Sequence, residues 1–175
     1  MALTFAQKEV IVAEVSEVAK SAYSAIGAEY RGLTVAQMTA LRVQARQAGV
    51  YVRVVKNTLA KRALADTEFA CLAGELTGPL LLAFGRDDPG SAARVAQTFA
   101  KEHEKFQVRV IALSGQLLPA SELAKVAKMP TYDEAISMLM SVMKAPIQKL
   151  TTTLNEVPSK LVRTVAAVRD AKEAA

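Results

Sequence analysis

Near residue 120 the hydrophobic rhythm of this chain changes, and that change limits what it can fold into. Up to about Leu118, segments with a helical period alternate with short β-branched runs of period two. From Ser121 onward every signal is helical. A chain written this way builds a single sheet with flanking helices, an α/β sandwich, followed by a long C-terminal helical extension. The fold class is therefore α+β. The division falls at residues 1–130 for the sandwich and 131–175 for the tail. Hydrophobic residues make up 51% of the chain, enough to supply one core and to exclude wholesale disorder.

Local signals place the elements. Thr4 with Gln7, and Thr34 with Gln37, each read as a capping box; the helices they open run to about Lys20 and to Ala48. Gly49 stops the second helix. Ser21 to Tyr30 reads as a weak strand ended by a turn at Gly32. Val50 to Val55 is the plainest strand, with Val50, Val52 and Val54 on one face. Asn57 is the expected cap of a short helix from Thr58 to about Ala65. Pro79 to Phe84 is a compact apolar run suited to a buried strand. Asp87-Asp88-Pro89-Gly90 turns into a helix ending near Lys105. Gln107 to Leu113 forms another strand, which Gly115 to Leu118 continues after a turn. Strand order does not follow from these signals; a ferredoxin-like order is among those they permit.

Several function classes drop out. Cys71 is the only cysteine and lies in an apolar stretch, so neither a disulfide framework nor a cysteine zinc site is available. His103, the only histidine, sits at the charged end of a helix. A histidine-dependent triad or a multi-histidine metal site is hard to build from one ring. No phosphate-binding glycine loop is present, and Asp87-Asp88 belong to a turn. A small α/β enzyme is thus a poor reading, and neither cofactor nor metal is expected. Glu9 interrupts the place where a signal peptide would need its apolar core. No apolar run reaches the roughly 18 residues of a membrane span, so a cytoplasmic location without a membrane partner is expected.

Charge points elsewhere. The formal net charge is +5, with a sequence pI near 9.4. Its distribution says more than its sum: Arg31, Arg42, Arg46, Arg53, Lys56, Lys61 and Arg62 occupy a stretch without Asp or Glu. Nothing nearby in sequence neutralises them, which is what a phosphate backbone requires. Arg42 and Arg46 share a helical face. Tyr51 and Arg53 share a strand face, pairing a stacking ring with a guanidinium. Lys56-Asn57-Thr58 brings a lysine to a helix N-terminus, where free N–H groups favour anions. The plain alternative is a solvated basic face.

The blocks Tyr30-Arg31-Gly32-Leu33-Thr34 through Leu41-Arg42, and Ala48-Gly49-Val50 through Lys56-Asn57-Thr58-Leu59-Ala60-Lys61-Arg62-Ala63, carry a resemblance. So do Thr77-Gly78-Pro79, Pro130-Thr131-Tyr132-Asp133-Glu134-Ala135 and Lys160-Leu161-Val162-Arg163-Thr164. In this order, and over essentially the whole chain, they resemble large-subunit ribosomal protein ten, the family at the base of the bacterial ribosomal stalk. The resemblance implies a domain that docks on large-subunit rRNA beside large-subunit protein eleven. Carried over position by position, it makes Arg31, Gly32, Arg53, Lys56, Asn57, Thr58, Lys61 and Arg62 rRNA-contact candidates; the charge reading adds Arg42 and Arg46.

The tail carries its own pattern. Met143, Ile147, Leu150, Leu154, Val157, Leu161, Val165 and Val168 recur in steps of three and four, one continuous apolar stripe. Within it Lys149 to Val157 resembles Lys160 to Val168, displaced by 11 residues, and Pro146 and Pro158 precede the two copies. Eleven residues is close to three helical turns, so the copies share a face about 16 Å apart. Pro158 is expected to bend the helix between them. A repeated apolar face suits two equivalent docking sites for a helical partner. The bland readings are a helix packed on its own domain, or a coiled coil. Met138, Met140 and Met143 read as ordinary helix packing.

In the family resembled, this helix holds dimers of the acidic seven/twelve stalk protein, which recruit GTP-bound translation factors. The resemblance therefore implies one dimer on about Ile147–Val157 and another on about Leu161–Ala171, with a third over Ile136–Met143 as a further option. The stripe residues Ile147, Leu150, Leu154, Val157, Leu161, Val165 and Val168 are the candidates. A second role, an RNA-binding repressor of its own messenger, would use the same basic face.

Overall fold

The computed structural model describes residues 4–103 and 105–173. The chain divides into two compact units, the first running up to Thr131 and the second starting at Tyr132. In the first, the elements are α1 (Phe5–Ser21), β1 (Ser24–Glu29), α2 (Val35–Gln47), β2 (Val50–Val54), α3 (Asn57–Leu64), a 3₁₀ stretch (Glu68–Gly74), β3 (Leu80–Gly85), α4 (Ser91–Glu102), β4 (Gln107–Leu113), β5 (Gln116–Pro119) and α5 (Leu123–Ala127).

The five strands form one sheet in the order β2-β3-β1-β4-β5, and every neighbouring pair is antiparallel. The segment β1-α2-β2-β3-α4-β4, with β3 and β1 inside and β2 and β4 flanking them, is the ferredoxin-like arrangement. β5 extends it as a hairpin whose turn, Ser114-Gly115, has positive φ at both positions (46° and 79°). That is the turn geometry which matches strand twist.

Side-chain alternation splits the core into two layers. On one face, Leu80, Leu82 and Phe84 of β3 pack with Val15 and Val18 of α1, Leu59, Ala63 and Leu64 of α3, and Phe69 and Leu72 of the 3₁₀ stretch. On the other, Leu81 and Ala83 meet Leu41 and Ala45 of α2, Ala93, Ala96 and Phe99 of α4, and Val126 of α5. Covering on both faces is why β3 reads as an unbroken apolar run, and all six of its residues are buried. Arg94 of α4 ties α5 in place by donating to the carbonyls of Ala127 (3.3 Å) and Met129 (2.9 Å).

Two strands differ from their sequence appearance. The segment read as a weak strand contains β1, the central strand of the sheet. Its small residues are a packing requirement: a Cβ on Gly27 would lie 2.8 Å from Val110 Cγ1. The plainest strand, β2, is an edge, and its cover thins from the buried Val50 to the exposed Val54. One cap also differs. α3 begins at Asn57 itself, with Lys56 in the capping position and no side-chain cap. Asn57 Nδ2 instead donates to the Gly78 carbonyl at 2.9 Å.

The second unit is a single helix, α6 (Tyr132–Glu173), of 42 residues. It continues through Pro146 and Pro158, and none of its residues is buried. Thr151 and Thr152 suit a helical interior because their hydroxyls donate to the Ile147 and Gln148 carbonyls one turn back (3.1 and 2.7 Å). Among the described residues no helix is long and apolar enough to cross a membrane.

Candidate functional site

The cations of the acid-free stretch come from four local structures. Arg31 and Gly32 form the turn after β1, where Gly32 has φ +88°, a conformation open to glycine. Arg42 and Arg46 lie on the exposed face of α2, opposite the buried Leu41 and Ala45. Arg53 is on the edge strand β2. Lys56, Asn57 and Thr58 open α3, and Lys61 and Arg62 occupy its last turn, opposite Leu59, Ala60, Ala63 and Leu64. Arg31, Arg42, Arg46, Lys56, Lys61 and Arg62 are exposed.

Two open grooves gather part of this set. The larger, about 600 Å³, follows β2 from Val50 to Val54, walled by Arg42, Ala45 and Arg46 of α2 and by Glu14 of α1. It brings together Arg42, Arg46 and Arg53. The smaller, about 330 Å³, is lined by Tyr30, Val54, Val55, Lys56, Asn57, Thr58, Gly78, Pro79 and Leu80. Val54 borders both. Arg31, Gly32, Lys61 and Arg62 line neither.

The structure corrects one electrostatic expectation. Arg53 is not left unneutralised: Glu14 of α1 forms an ion pair with it. Tyr51 completes the cluster, donating its hydroxyl to Glu14 Oε1 at 2.7 Å and accepting from Arg53 Nη1 at 2.9 Å. The Glu14 carboxyl is held below the usual carboxylate range, first by the Tyr51 hydrogen bond and then by Arg53. Burial, followed by the Glu14 hydrogen bond, raises the Tyr51 hydroxyl. The Tyr51 ring is also engaged, with the Arg86 guanidinium 5.3 Å from its centroid. Tyr51 and Arg53 are thus tied to one another, to Glu14 and, through the Tyr51 ring, to Arg86.

Sequence reasoning overlooked several neighbours of these grooves. Glu14 and Arg86 lie outside the basic stretch and gave no signal. Tyr30, Gly78 and Pro79 stand in the blocks quoted above without having been nominated. Lys105 adds a cation beside the Arg31-Gly32 turn: a Cβ on Gly32 would lie 3.3 Å from its Cδ.

The single-copy residues of catalytic interest have structural surroundings. The His103 ring packs on Phe99, centroids 4.3 Å apart, and shares a 3.3 Å hydrogen bond with Gln37. Gln37 in turn accepts from the Thr34 N–H at 2.8 Å, closing the capping box of α2. Cys71 is half-buried against the α1/α3 core layer. Among the described residues no three acids, cysteines or histidines cluster as a metal site.

In the second unit, the residues of the tail stripe share one face of α6. Ile147, Leu150, Leu154, Val157, Leu161, Val165 and Val168 are each at least 56% exposed. Soluble proteins rarely leave so continuous an apolar ridge open. The repeat also extends further back. Leu139, Leu150 and Leu161 stand 11 residues apart, as do Met143, Leu154 and Val165, and all six are exposed. Shallow apolar space lies along the last copy, beside Leu161, Val162, Val165, Ala166 and Arg169.

Comparison with known proteins matches both units. The model of a family described as ribosomal protein L10 matches residues 4–101, and one described as the ribosomal protein uL10 C-terminal region matches residues 129–157. The large ribosomal subunit protein uL10 of Alkalilimnicola ehrlichii is 64% identical over 175 residues, covering 100% of both chains. That of Thioalkalivibrio sulfidiphilus is 60% identical over 174 residues, covering 99% of each. The protein of the same name from Francisella tularensis subsp. holarctica is 52% identical over 172 residues, 98% of this chain and 100% of its own.

Proposed function

Because the chain belongs to the ribosomal protein L10 family, a structural constituent of the bacterial large ribosomal subunit and not an enzyme, we propose that its two units divide the work of the stalk base. The first binds large-subunit rRNA beside large-subunit protein eleven. The second carries dimers of the acidic seven/twelve stalk protein, which bring GTP-bound translation factors to the ribosome.

The observation that carries this reading is the separation of two unlike surfaces. The first unit presents exposed cations at Arg31, Arg42, Arg46, Lys56, Lys61 and Arg62 on the stretch that contains no acid. Phosphates recruited there release condensed counterions, so affinity would fall steeply with salt. The second unit presents an apolar ridge written in 11-residue steps. A helical partner laid along it would bury Leu150 and Leu154 in one register, and Leu161 and Val165 in the next. The earlier step, Leu139 and Met143, supports a third register over Ile136–Met143.

Charge reversal of Lys56 separates the two activities. Lys56→Glu should weaken binding to a stalk-base rRNA fragment by about tenfold or more at moderate salt, through loss of one phosphate contact and repulsion of the next. Stalk-dimer loading by the same variant, followed by native mass spectrometry, should be unchanged. Equal RNA affinity in the variant would remove Lys56 from the interface. Equally tight binding to the leader of its own messenger would add the repressor role to the same face.

A further inference from the structure

The smaller groove has a composition that phosphate contact alone does not explain. Its lining is largely apolar: the buried Val55 and Leu80 of one core layer, and the half-buried Pro79 and Tyr30, the latter packed in part against the other layer. One rim carries Lys56, Asn57 and Thr58. Gly78 stands at the other with open space where a side chain would be. The Asn57–Gly78 hydrogen bond ties the two rims together at 2.9 Å, so the opening is built into the fold. That bond uses one of the two Asn57 Nδ2 hydrogens and leaves the other for a ligand.

We propose that this groove takes one unstacked nucleotide of single-stranded RNA, its base against the Tyr30 and Pro79 rings and its phosphate toward Lys56. The inference rests on the rRNA reading of the first unit and makes it more specific. A volume of about 330 Å³ is on the scale of a single nucleotide. An aromatic residue and an apolar lining are what a base face seeks when it leaves its stack, whereas a phosphate track needs only cations. Lys56 is the one charged residue among the described residues that line the groove, and no acid is among them. The larger groove is less suited to the same ligand, since Glu14 stands in its wall and holds Arg53.

The test uses the full chain and a stalk-base rRNA fragment over a range of salt. Tyr30→Leu should weaken binding about tenfold with the salt dependence unchanged, because stacking releases no counterions. Tyr30→Phe, which keeps the ring, should bind like the unaltered protein. Lys56→Ala should instead flatten the salt slope by about one ion. Zero-length ultraviolet crosslinking of the unaltered chain, read by mass spectrometry, should place a nucleotide adduct on Tyr30 or its immediate neighbours, and so decides the matter even where the leucine variant fails to fold. Unchanged affinity in folded Tyr30→Leu, or adducts confined to other segments, overturns the nucleotide groove and leaves the rRNA reading standing. Failure of the unaltered chain to bind the fragment removes both.

Discussion

Glu14 is the residue that most alters the picture of the basic face. It reaches β2 from α1, 37 positions before Tyr51, and binds both Tyr51 and Arg53. A carboxylate in the wall of a cationic groove repels phosphate and occupies the guanidinium that phosphate would need. Glu14→Gln should therefore raise affinity for the rRNA fragment several-fold and steepen the salt slope by about one ion. No gain in either would mean that Arg53 serves the fold alone. The partners are partly exposed, so the ion pair contributes only about 0–1 kcal/mol to stability. Its pH dependence has a definite sign. The folded state holds the Glu14 carboxyl below its unfolded value, so the stabilisation is present above the ordinary carboxylate range and disappears as pH falls through the lowered folded value. Melting temperatures of the two proteins should accordingly differ at neutral pH and converge in acid. Sequence reasoning could name Arg53 as a cation, but its counter-ion is set by how α1 lies across the sheet.

At the scale of elements, the tail helix was the easiest part to read and the strands were the hardest to rank. Apolar steps of three and four mark α6 because an exposed ridge and a buried one have the same period. Burial cannot be read from that period, and in α6 every stripe residue is open. The 11-residue repeat makes a stoichiometric prediction. Ending the chain after Val157 should remove one stalk dimer and leave rRNA affinity unchanged. Leu161→Asp with Val165→Asp should do the same in the full-length chain. Native mass spectrometry of the loaded complex counts the dimers directly, and an unchanged count in both variants would discard the repeat as a docking unit. The strands teach the opposite lesson. β1 looked weak because Ala and Gly fill it, yet it is central, where Gly27 makes room for Val110. β2 looked strongest because its β-branched residues alternate along the chain, yet it is an edge.

For the whole molecule, the two compact units predict separable behaviour. A chain ending at Thr131 should keep its melting transition and its rRNA affinity while losing all capture of stalk dimers. A large drop in RNA affinity on that truncation would show that α6 contributes to the RNA site. The sequence alone determined what depends on neighbours along the chain: the capping boxes at Thr4 and Thr34, the turns at Gly32 and Gly49, the helical period of the tail and its repeat, and the absence of acids from the stretch that carries the cations. These are short-range matters of φ preference, periodicity and charge, legible wherever the residues are consecutive. Tertiary structure decided the strand order, which strand became the edge, that Glu14 would neutralise Arg53, and that Tyr30 and Gly78-Pro79 would enclose a groove with Lys56. Each of these brings together residues far apart in the chain, and such pairings are fixed only when side chains compete for one core.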